Sequence, residues 1–88
     1  MHRKAYFYNL ETGKERLLTE GDYLSVYQIE TTGGHMICCE QDGNLLLFLN
    51  DGTLARDDLG QATYLGGDVF SCQEGLRCLD GSWLYKPE

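Results

Sequence analysis

Turns come so often in this chain that a helix of ordinary length has nowhere to sit. Turn-forming clusters occupy residues 11–14, 19–22, 31–34, 41–44, 50–52, 57–60, 66–68, 73–75 and 80–82, and each contains at least one glycine. Asp-Gly and Gly-Gly pairs supply the positive φ angles that tight hairpins need. The short segments between them read as strands by their hydrophobic periodicity. Expected strands are 5–10, 15–18, 23–29, 35–40, 45–49, 53–56, 61–65, 69–72, 76–79 and 83–86. Strands this short and evenly spaced predict an all-β fold, a small antiparallel meander forming a compact barrel or sandwich. At most one short helix is expected, since residues 15–18 and 57–62 also fit a single helical turn. The 88 residues read as one domain.

Leu45-Leu46-Leu47-Phe48-Leu49 is apolar on both faces, which predicts a central strand and the most buried one. In 23–29, Leu24 and Val26 share one face and Tyr23, Ser25 and Tyr27 the other. Tyr6-Phe7-Tyr8 suits an edge or second strand that buries Phe7. Surface scaling gives a folded area of roughly 5,200 Å² for a chain of this size, enough burial for independent folding. The 42% apolar fraction belongs to a globular chain rather than a disordered one.

Charge is distributed unevenly. Between Leu17 and Leu76 the only basic residue is Arg56, against ten acids, while residues 1–16 carry a net +2. The whole chain stands at −7. Such a block repels nucleic acid and anionic membranes and attracts basic surfaces. In a simple meander alternate turns fall at one end of the sheet. That reasoning gathers Glu20, Asp22, Asp42, Asp57, Asp58 and Glu74 at a common end as candidate partner-binding residues, with Glu40 bordering. The competing explanation is turn chemistry, because Asp caps local backbone groups whatever the function.

Glu40-Gln41-Asp42-Gly43-Asn44-Leu45-Leu46-Leu47-Phe48 resembles the mannose-binding signature of bulb-type lectins. In that family a Gln, an Asp, an Asn, a Val and a Tyr alternate along one strand face. Here Asp42 and Asn44 match, while Glu40, Leu46 and Phe48 depart from the pattern. The family carries three such repeats and this chain one. The resemblance implies a carbohydrate-binding surface at Asp42, Asn44 and Phe48. A hairpin opened by Gln-Asp-Gly-Asn produces the same letters without a sugar.

Cys38 and Cys39 are adjacent, so on a strand they face opposite ways and cannot share a metal. No Cys-x₂-Cys or His-x₃₋₅-His spacing occurs, and no metal or cofactor is expected. Cys72 and Cys78 flank Gly75 symmetrically, which predicts that a hairpin there sets them opposite each other, within bridging distance. No nucleophile, base and orienting group occur in a recognisable arrangement, so the chain reads as non-enzymatic. Residues 1–11 do not fit a signal peptide and the longest apolar run is Leu45–Leu49, so a cytoplasmic protein with free thiols is expected. The functional expectation is an acidic protein-interaction module, of the character of a small phage-type inhibitor or nucleic-acid mimic. Its partner would be a basic surface of a larger protein, with no direct nucleic acid and no membrane. An exposed edge strand at 5–10 would also permit a homodimer.

Overall fold

The computed structural model describes residues 1–87 and is all-β, with ten strands and no helix among them. The strands are β1 (Arg3–Tyr8), β2 (Glu15–Gly21), β3 (Leu24–Thr31), β4 (Gly34–Gln41), β5 (Asn44–Leu49), β6 (Leu54–Arg56), β7 (Ala62–Gly66), β8 (Val69–Cys72), β9 (Gly75–Cys78) and β10 (Trp83–Tyr85). Each expected strand is present, within two residues at most ends. Residues 15–18 belong to β2, and residues 57–61 form a loop rather than a helical turn.

Every pairing is antiparallel and between consecutive strands. The meander breaks into a β1–β2 ribbon, a central sheet β3-β4-β5-β6 and an outer sheet β7-β8-β9-β10. No closed barrel forms among the described residues.

The alternation of side chains along β4 and β5 explains the layering. Leu24, Ile37, Cys39, Leu46 and Phe48 share one face of the central sheet, where Ala5 and Leu18 of the ribbon cover them. Met36, Cys38, Leu45 and Leu47 share the other, packed with Ile29, Leu59 and Phe70. The two faces thus carry separate cores, one under the ribbon and one under the outer sheet. Both β4 and β5 are buried on two sides, as the apolar run at 45–49 predicts, although Leu49 at its end is 44% exposed. The molecule is flat, 47 × 32 × 16 Å. Its surface of 5841 Å² accordingly exceeds the scaling expectation.

Tight turns keep the register. Gln41 pairs with Asn44 around Asp42 (φ 49°) and Gly43 (φ 90°), a two-residue hairpin of the I′ kind. Cys72 pairs with Gly75 around Gln73-Glu74, so this hairpin pivots earlier than the symmetric placement about Gly75 predicts. Cys78 then lies opposite Val69, three positions from Cys72, or roughly 10 Å along the strand. A disulfide tolerates a Cα separation of only about 7 Å. The expected Cys72–Cys78 proximity is therefore corrected, and all four cysteines are free.

At the end of the molecule holding the β3–β4 turn, Tyr64 ties the outer sheet to the central one. Its hydroxyl donates to the Glu30 carbonyl at 2.7 Å and accepts from Asp68 N at 3.1 Å. Asp68 in turn accepts from the backbone N of Thr32 at 3.0 Å and from its hydroxyl.

Candidate functional site

The opposite end is open. An exposed cleft of about 780 Å³ lies between the central and outer sheets. Asp22, Gly43, Gln61 and Gln73 line it, from four separate connections along the chain. Alternate turns of a meander meet at one end, and that topology is why residues so far apart in sequence share a wall. Tyr23, Leu24 and Ser25 border it on the β3 side, Ala62 and Thr63 on the β7 side, with Arg3 and Glu40 adding charge.

Hydrogen bonds knit the rim. Tyr23 N donates to Asp42 Oδ1 at 2.8 Å, and Asp42 N donates back to the Tyr23 carbonyl at 2.8 Å. The first of these bonds, with help from Gln41, holds the Asp42 carboxyl below its ordinary value. His2 spans Glu20 (3.2 Å) and Asp22 (3.4 Å). Those two contacts raise the imidazole pKa, the Glu20 bond contributing most. Deeper in, the Tyr27 hydroxyl donates to Glu40 Oε1 at 3.0 Å. Burial, then that bond to a carboxylate, pushes the Tyr27 phenol strongly upward. Neighbouring Cys38 is driven to about 12, mainly by burial, so it is no nucleophile at neutral pH.

The six expected partner-binding acids have different surroundings. Glu20, Asp22 and Asp42 are gathered around His2 and the Tyr23 turn. Asp58 is held between Arg56 (3.5 Å) and Arg77 (3.4 Å), so its charge is largely spent inside the domain. Glu74 faces Lys86 at 3.8 Å. Asp57 is exposed beside a shallow groove formed with Arg16, Leu17, Phe48 and Leu54 on the ribbon side.

The lectin-like surface does not assemble. Phe48 is 4% exposed and packed against Ala5 and Cys39, so its ring is sealed in a core instead of facing a sugar. Asp42 lies in the turn and spends Oδ1 on Tyr23.

Sequence reasoning passed over Arg3, Ser25, Gln61, Thr63 and Ser71, all of which line the cleft. Each is a single polar residue on a different element, and no local spacing links them. Counting alternate turns was the one signal that pointed to their end of the sheet. Among the described residues no group of three or more His, Cys, Asp and Glu side chains is placed to hold a metal ion. No helix there is long and apolar enough to cross a membrane. Comparison with family models, curated proteins and solved structures finds no match for this chain.

Proposed function

We propose that the domain is a non-enzymatic, acidic protein-interaction module that occupies a basic surface of a larger protein, in the manner of a small inhibitor or nucleic-acid mimic. One observation carries this reading: the basic side chains beyond residue 16 are engaged within the domain. Arg56 and Arg77 are held by Asp58, and Lys86 lies by Glu74. Glu20 and Asp22 remain exposed, with His2 as their neighbour. The exposed cations without an ion-pair partner among the described residues thus lie within residues 1–16, and the net charge of −7 favours encounter with an oppositely charged partner. The carbohydrate reading has no comparable support, because its aromatic platform is buried.

Capture from a native lysate at low salt, followed by association kinetics on the purified partner, tests the reading. The on-rate should fall steeply as salt shortens the field to roughly 8 Å at physiological strength. Asp22→Asn should slow association more than it hastens dissociation. A salt-independent on-rate with the captured partner would reject acidic docking.

A further inference from the structure

The cleft lies between two sheet edges. β3 ends the central sheet and β7 ends the outer one, so each presents backbone groups that no neighbouring strand takes up. The two edges are joined at one end, where Tyr64 of β7 donates to the Glu30 carbonyl of β3. At the other end the cleft separates residues 23–25 from residues 61–63. The gap therefore narrows from an open mouth to a hydrogen-bonded apex.

We infer that an extended, basic peptide segment of a partner protein enters this mouth and adds as a strand along the β3 edge, its lysine or arginine side chains reaching Asp22 and Glu40. The inference rests on the acidic-docking reading and narrows it to one mode of recognition. A strand edge offers donors and acceptors at the spacing of a peptide backbone, which main-chain pairing exploits without regard to sequence. Side-chain charge then supplies selection. Asp22 accepts from His2 through Oδ1 and Glu40 from Tyr27 through Oε1, which leaves Oδ2 and Oε2 without a protein donor among the described residues. Ser25, Thr63 and Ser71 add hydroxyls along the walls. Met1 and Arg3 bring positive charge to the same cleft, so the segment's basic side chains must be directed to Asp22 and Glu40. Tyr23 is already bonded to Asp42, so the free edge begins at Leu24 and continues at Val26; about four residues of added strand along it would span roughly 13 Å.

The test uses the full chain, isotopically labelled, and a blocked heptapeptide of alternating threonine and lysine. Resonance shifts should be confined to residues 22–27 and 61–63, with slowed amide exchange at Leu24 and Val26, whose amides face the open edge. N-methylation at alternate peptide positions should weaken binding roughly tenfold, while the intervening positions tolerate it, because only every second amide faces the edge. Thr63→Trp, which fills the cleft without altering charge, should weaken the peptide by a similar factor. Ser25→Trp blocks from the opposite wall and serves if the first variant folds poorly. Shifts spread over all the acidic turns, indifferent to N-methylation and to both tryptophans, would overturn strand addition and leave acidic docking standing. The absence of any shift at about millimolar peptide would overturn it too. Self-association that protects the same amides would make a second copy the occupant and equally reject the basic peptide.

Discussion

Gly21 and Asp42 are packed so closely that a Cβ on the glycine would fall 2.6 Å from Asp42 Oδ2. The missing side chain of β2 is what lets the carboxylate lie over the strand end and cap Tyr23. Gly21→Ala should cost about 1–3 kcal/mol through overpacking. The double variant with Asp42→Gly, which keeps the turn's positive φ and removes the carboxylate, should be less destabilised than the two single effects summed. Denaturant unfolding of all three proteins checks this, and strict additivity would deny the coupling.

His2 should titrate with a midpoint above 6.5, since the carboxylates of Glu20 and then Asp22 favour its charged form. A raised histidine value means that the contact stabilises fully below pH 6.5 and fades as pH rises through the folded-state midpoint. Asp42 has the opposite sign: its depressed value contributes above about 3.8 and is lost as pH falls through the lowered one. A proton NMR titration of His2, repeated on Glu20→Gln/Asp22→Asn, should show the midpoint dropping in the variant. Both sites are exposed, so moderate salt should reduce the histidine shift.

Leu47 is fully enclosed under the outer sheet while Leu49, two residues on and on the same face, is 44% exposed. Leu47→Ala should therefore cost about 2–5 kcal/mol. Leu49→Ala should stay within roughly 1 kcal/mol. Equal losses in chemical denaturation would contradict the described burial.

Four thiols should be counted in the denatured, non-reduced protein. In the native state Cys38 and Cys39 are fully buried whereas Cys72 and Cys78 are only partly covered. Labelling should run in two phases of two thiols each, the slow pair gated by opening of the structure.

Tyr64→Phe removes both the donor to Glu30 and the acceptor for Asp68 N with little change of shape. The cost should be about 0.5–1.5 kcal/mol, since both bonds are only partly shielded from water. Because the hydroxyl bridges two sheets, amide exchange should quicken at the Thr31–Gly34 turn and at Asp68 together.

The fold was legible in the sequence because turn chemistry is local. Asp42-Gly43 declares a hairpin whatever surrounds it, and Leu45–Leu49 declares a strand covered twice. The candidate site was legible only in outline. Alternate-turn counting placed Asp22 and Asp42 at one end, and both lie there. It could not show that Arg56 and Arg77 would consume Asp58, because that depends on how the 57–61 loop carries the chain from one sheet to the next. Asp58→Asn would thus strip two arginines of their partner, and Asp57 is the cleaner site for removing charge. The Cys72–Cys78 misreading has a similar root. Gly75 looked like the pivot of a hairpin, yet it opens β9, where a Cβ would strike the Tyr85 carbonyl. Its glycine serves a close backbone approach, not a turn.

The placement of two cores on opposite faces of one sheet makes the domain unequal in its resistance to opening. The ribbon is held by a small cluster centred on Ala5, Cys39 and Phe48, whereas the outer sheet is held by seven buried residues. A sub-global fluctuation should peel β1 and β2 away first and leave the remaining eight strands paired. That event bares Ile37, Leu46 and Phe48 together, a sticky apolar stripe on an intact sheet. The seam that yields most readily is therefore also where copies of the protein would first adhere under thermal stress.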